Sequence, residues 1–137
     1  MQVKDYMTRD VAFANLKDGL RQTYFRMRER RIRHMPVLDE NEKMVGIVSD
    51  RDLRRPDEID SDPNVAYAFR LDNEIKVEQV MTRTPTVVSE SDDIRVAVDL
   101  MLDLRHGALP VLDAKRRLAG ILSMVDVLRA FRDHIRR

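Results

Sequence analysis

Two short stretches of the chain place Ser and Asp three residues apart behind a glycine and two aliphatics: "GIVSDRD" at residues 46 to 52 and "GILSMVD" at 120 to 126. A serine that ends an apolar, strand-like run can cap the helix that follows. An acidic residue three positions later can bond back to the serine N–H, which completes a capping box. The same arrangement has a second use, because a helix N-terminus presents unpaired N–H groups and the positive end of the helix dipole, a setting for phosphate. Ser49 and Ser123 could then donate hydroxyl hydrogen bonds to a phosphate. Asp52 and Asp126 suit hydroxyl donors on a ligand better than contact with another anion. Gly46 and Gly120 lie inside an apolar strand signal, where a missing side chain permits close approach of backbone or ligand, or marks a bulge.

Few other residues could carry chemistry. There is no cysteine, so disulfides, thiol catalysis and cysteine metal sites are excluded. His34, His106 and His134 are far apart in sequence, and no structural zinc site is expected. No nucleophile stands beside a base and no phosphate loop is present, so the chain is not expected to be an enzyme. The basic cluster "RMRERRIRH", residues 26 to 34, could meet nucleic-acid phosphates. At helical spacing its charges instead spread over a solvent face, leaving one or two arginines for a ligand. Only Tyr24 and Phe25 could stack bases nearby, so nucleic acid is not the expected partner. The formal net charge of +1 drives the chain onto neither nucleic acid nor an anionic membrane. No apolar run approaches a bilayer span and "MQVKDYMTRD" lacks a signal-peptide core, which predicts a cytoplasmic protein.

The elements that position these residues come in two copies. A constant shift of 74 residues, the distance from Gly46 to Gly120, aligns "VKDYMTR" (3 to 9) with "VEQVMTR" (77 to 83) and "MPVLD" (35 to 39) with "LPVLD" (109 to 113). The chain is an internal duplication. With 137 residues and 43% hydrophobic content, residues 1–137 suit one compact domain or two small interdependent units, not two independent enzymes. Leu20, Thr23, Tyr24 and Met27 in the first half, and Ile94, Ala97, Val98 and Met101 in the second, fall at helical spacing; Ser91 or Asp92 could cap the second helix. Then come paired short apolar runs, separated by the polar turns "ENEK" and "AKRR". Met124, Val127, Leu128, Phe131 and Ile135 mark a last helical stripe that ends in a basic tail. Pro56 is expected to cut short its counterpart in the first half. Most of the eight methionines, Met7, Met81, Met27 and Met101 among them, read as repeated core positions. The boundaries predicted are a first repeat at 1–56, a connecting segment at 57–74 and a second repeat at 75–137. Val65, Tyr67, Phe69 and Leu71 alternate within the connection, which could pack as an extended segment or serve as a lid.

The order V-x-x-x-M-T, amphipathic helix, h-P-V-h-D and G-h-h-S-x-x-D resembles the cystathionine-beta-synthase (CBS) domain. Two in tandem resemble the CBS pair called a Bateman module, and the resemblance covers nearly the whole chain. It implies an α/β (α+β) fold of two β-α-β-β-α repeats, packed through their sheets with pseudo-twofold symmetry, and binding of adenosine-containing ligands in the clefts between repeats. AMP, ADP, ATP, NAD(H) and S-adenosylmethionine are the ligands it implies, as regulators rather than required cofactors; magnesium could accompany phosphates. It also implies a flat homodimer formed through helical faces, to which Leu128, Phe131 and Ile135 could contribute, and an unknown protein partner regulated by a stand-alone module.

The resemblance assigns Ser49, Asp52, Ser123 and Asp126 to the ligand, the aspartates accepting ribose hydroxyls. It places Arg33 and His34 beside them, an arginine fork for phosphate and an imidazole hydrogen bond. Arg51 adds charge to the same stretch. It makes Thr84 and Thr86 candidates for adenine or ribose contact, with Asp10 and Ala12 at the matched positions; a turn is the alternative for "RTPT". The second half offers Met124 and Val125 where the first has Asp50 and Arg51, and His106 as its polar handle. The first site is therefore expected to suit a phosphate chain better. A ligand-independent dimerisation or docking module is the second reading.

Overall fold

The computed structural model of the protein describes residues 1–54 and 73–136. The expected effect of Pro56 and the alternation at Val65 to Leu71 lie outside the described residues. In chain order the elements are a short 3-10 turn at Val3–Asp5, β1 (Ala14–Asn15), α1 (Leu20–Arg30), β2 (His34–Leu38), β3 (Met44–Ser49) and α2 (Asp50–Arg54). There follow α3 (Val77–Val80), β4 (Thr82–Arg83), β5 (Val88–Ser89), α4 (Ile94–Leu104), β6 (Ala108–Leu112), β7 (Leu118–Ser123) and α5 (Met124–Ile135). The fold is mixed α/β with two sheets, as the resemblance implies.

The chain divides into two compact units, Ala12–Pro85 and a split unit of Met1–Val11 with Thr86–Arg137. In Ala12–Pro85 the sheet order is β1-β2-β3-β4, with β1 parallel to β2 and the remaining pairs antiparallel. α1 buries Leu20, Thr23 and Met27 against Met35, Val37, Val48 and Leu53. Thr23 is fully buried yet satisfied, since its hydroxyl donates to the Gly19 carbonyl at 2.8 Å. In the split unit the order is β5-β6-β7. There Ile94, Ala97 and Met101 of α4 cover Leu109, Val111 and Leu122. Neither Ser91 nor Asp92 caps α4: Asp93 does, accepting from Arg95 N at 2.9 Å, while Asp92 accepts from Ser89 N and holds the turn before it.

The repeat in sequence and the compact unit in space differ at their leading segments. Val77 and Met81, which open the second repeat, are buried in the core of Ala12–Pro85; Val3 and Met7, which open the first, are buried in the split unit. The exchange is reciprocal down to single bonds. Thr82 pairs with Ile47 and Thr8 with Ile121, while Leu20 N donates to Ile75 O and Ile94 N to Met1 O. α1 even takes its cap from the exchanged segment, for Gly19 has no capping side chain and Asn73 Oδ1 accepts from Gln22 N at 3.0 Å.

This exchange explains Gly46 and Gly120. A Cβ on Gly46 would stand 2.6 Å from Met81 Sδ and 2.9 Å from Thr82 O, and one on Gly120 would stand 2.6 Å from Thr8 O and 2.9 Å from Met7 Sδ. A leading segment crosses each glycine closely. The bulge alternative also holds one residue earlier: the register steps from Gly46 to Met44 and from Gly120 to Leu118, leaving Val45 and Ala119 extra.

Candidate functional site

Both Ser-x-x-Asp stretches form full capping boxes. Ser49 N donates to Asp52 Oδ2 at 2.9 Å and Asp52 N to Ser49 Oγ at 3.1 Å; Ser123 N donates to Asp126 Oδ2 at 2.9 Å and Asp126 N to Ser123 Oγ at 3.2 Å. The local cause is the abrupt strand-to-helix junction, β3 into α2 and β7 into α5, which leaves the first helical N–H groups to be met by side chains.

Strand register then decides the neighbours. His34 stands opposite Ser49, and Asp50 N donates to Arg33 O at 3.0 Å, so Arg33, His34, Ser49, Arg51 and Asp52 converge at one end of the β2–β3 hairpin. In the split unit Ala108 stands opposite Ser123 and Met124 N donates to Gly107 O at 3.0 Å, so the matched end carries small residues. The four residues assigned through the leading segments fall on both sides of the unit boundaries. Asp10 belongs to the split unit and Ala12 to the other; Thr84 belongs to Ala12–Pro85 and Thr86 to the split unit. Ala12 packs against the core of its unit.

The two aspartates differ in what they have left to offer. Asp126 is 2% exposed and both its oxygens are engaged, Oδ2 by Ser123 N and Oδ1 by Arg129 Nη1 at 3.1 Å. Asp52 is half-buried, and among the described residues no donor meets its Oδ1.

Two features escape the sequence pattern. Thr84, an exposed β-branched residue, holds φ at 48° directly before Pro85, a conformation unfavourable on both counts. Arg33 lines a cavity of about 360 Å3 together with Tyr24, Met27, Arg28, Arg31, Ile32, Asp50 and Arg54, so the cluster at 26 to 34 is not simply a solvated face. Among the described residues no group of His, Asp or Glu is placed to hold a metal ion, and no helix is long and apolar enough to cross a membrane.

Paired capping boxes on duplicated hairpins, each completed by the other repeat's leading segment, define a tandem-repeat binding fold. The family model "CBS domain" matches residues 3–56 and 77–133, and the chain belongs to that family. It is 33% identical over 120 residues to the CBS domain-containing protein CBSX2, chloroplastic, of Arabidopsis thaliana, covering 74% of this chain and 50% of that one. The chain thus spans about half the length of this curated relative. The crystal structure of CBSX2 in complex with AMP superposes with a TM-score of 0.79 at 29% identity, over 99% of this chain and 98% of that one. A CBS domain pair/ACT domain protein of Thermotoga maritima gives a TM-score of 0.75 at 27% identity, covering 98% of each chain.

Proposed function

We propose that the chain is a non-catalytic regulatory module that binds an adenosine-containing ligand at the Ser49-Asp52 junction of the Ala12–Pro85 unit. The observation that carries this is the asymmetry of the two boxes: among the described residues Asp52 Oδ1 is left without a donor beside Arg33 and His34, whereas Asp126 has both oxygens engaged. A vacant carboxylate oxygen suits a ribose hydroxyl, and an adjacent arginine suits phosphate. The AMP complex of the structurally similar CBSX2 supports an adenine nucleotide as the ligand. Ser123 and Asp126 act in this reading chiefly as a cap, and the strained Thr84 is a candidate contact. The module works as a cytoplasmic homodimer, signals to a protein partner, and takes magnesium only as a companion of a phosphate chain.

The test is the melting temperature with AMP, ADP, ATP, NADH and S-adenosylmethionine, for the parent and for Asp52→Ala and Asp126→Ala. Ligand at ~100 times its dissociation constant adds roughly 2.7 kcal/mol, several degrees for a domain of this size. The expected result is a shift with an adenine nucleotide that Asp52→Ala abolishes. Comparing each variant with and without ligand separates the site from the cap, because loss of the box lowers both melts equally. No shift across the panel would favour the ligand-independent docking module.

A further inference from the structure

Six large apolar side chains of the split unit, Leu102 on α4 and Met124, Val125, Leu128, Phe131 and Ile135 on α5, are between 56% and 72% accessible. The two helices are in contact, and their inner sides give Ala97, Met101 and Ala130 to the core. We infer that this outer face is isologous: it packs on the same face of a second copy, and the matched face of the Ala12–Pro85 unit takes no part. The inference rests on the homodimer reading and specifies which repeat makes the contact.

The duplication supplies an internal comparison. At the shift of 74 the six positions hold Arg28, Asp50, Arg51, Arg54, Asp57 and Ser61. Both repeats keep the hairpin and the capping box, so neither element requires apolar residues at these six positions. A face that is polar in one repeat and apolar in the other is apolar for the sake of what covers it.

Charge makes the face its own complement. α4 exposes Asp99 and Asp103, while α5 exposes Arg129 and Arg132, each more than half accessible although it pairs within its own helix. A twofold axis that lays α4 of one copy along α5 of the other sets acids against arginines twice over and brings the apolar side chains together. Setting α4 on α4, or α5 on α5, would oppose like charges instead.

The rival contact places this face on the matched face of a second copy's Ala12–Pro85 unit. Leu102 and Leu128 would then meet the helices that carry Arg28 and Arg51, both exposed. Guanidinium groups would be covered by hydrocarbon, and the ion pairs gained at a surface are too weak to offset that loss of hydration. An isologous contact also consumes the face that makes it, so assembly stops at two copies.

The experiment joins light scattering to a short bismaleimide cross-linker, applied to single-cysteine variants of the full chain, which has no cysteine of its own. Leu128→Cys is expected to cross-link to itself as a dimer, and Arg28→Cys to give no product. Leu128→Arg, which installs the residue found at the matched position, should raise the dimer dissociation constant about tenfold or more and leave the melting temperature of dilute protein within a few degrees. Arg28→Leu should leave dimerisation unchanged. If Leu128→Arg unfolds the chain, the cross-linking pattern decides alone. A dimer in which Leu128→Cys cross-links only to a size-tagged Arg28→Cys copy overturns the inference and leaves the homodimer standing, as does a folded Leu128→Arg dimer of unchanged affinity. A parent that is monomeric at every concentration overturns both.

Discussion

Tyr6 and Asp133 tie the leading segment to α5 through one hydrogen bond, Tyr6 Oη donating to Asp133 Oδ2 at 2.9 Å. That bond, helped by Arg132 and Arg136, holds the Asp133 carboxyl below its ordinary value. A carboxyl whose folded value is depressed contributes stability above its unfolded value and loses it as pH falls through the folded one. The parent should therefore lose melting temperature on acidification through and below the usual carboxylate range. Tyr6→Phe should lower the melt slightly above the carboxylate range and flatten that acid limb, so that the two proteins converge as pH falls; melting curves from pH 3 to 9 measure it. An identical acid limb in both proteins would place the pH dependence elsewhere. Nothing in the residue types signals this pair, because the partners are 127 positions apart. The Ser-x-x-Asp boxes, by contrast, were legible at once, since a capping box lies within four consecutive residues and needs no tertiary knowledge. What their sequence could not tell was which aspartate has an oxygen to spare: Arg129 occupies Asp126, a choice made by side-chain placement.

At the scale of elements, periodicity identified the helices but not always their buried face. Leu20, Thr23 and Met27 and their counterparts Ile94, Ala97 and Met101 face the cores as expected. On α5 the stripe Met124, Leu128, Phe131 and Ile135 is apolar at helical spacing and yet exposed, with Leu128, Phe131 and Ile135 each about 60% accessible, while Asp126 and Ala130 are buried. Hydrophobic spacing marks a face that wants covering and is silent about what covers it. Within the reading of a homodimer, a second copy covers this one. Phe131→Glu should then shift the chain from dimer to monomer by light scattering while leaving the melting temperature of dilute protein within a few degrees. A parent that is monomeric at all concentrations would remove the dimer, and a variant that simply unfolds would show the stripe to be core. The strands were legible for a different reason: four-residue apolar runs, Met35 to Leu38 and Leu109 to Leu112, each followed by Asp, return with the same turn, in which Asp39 accepts from Asn41 N and Lys43 N, and Asp113 from Lys115 N and Arg117 N. An aspartate that nucleates its own turn leaves a local signature.

For the whole molecule, the exchange of leading segments makes the repeats interdependent in a specific way. The chain passes from one compact unit to the other between Val11 and Ala12 and returns between Pro85 and Thr86. A fragment of residues 1–56 carries the first hairpin without Val77 and Met81 to fill its core, without Asn73 to cap α1, and with β3 exposed as an edge that β4 covers in the full chain. Burying a side chain of that size contributes about 1.5–3 kcal/mol, against a total of about 5–15 kcal/mol for a folded domain. Losing two of them, a cap and a strand pair removes most of that margin. Residues 73–137 face the same deficit, lacking Val3, Tyr6 and Met7. Each fragment alone is therefore expected to show no cooperative melt, and an equimolar mixture should regain one, since each supplies the segment the other lacks. The leading segments are alike in sequence, so a fragment could also seat its own Val3 to Thr8 stretch on the hairpin of a second copy. Sedimentation distinguishes the cases: a mixed pair supports reciprocal exchange, a self-paired fragment shows that the seats accept either segment, and monomeric fragments that each melt cooperatively would mean that the exchange is dispensable for folding.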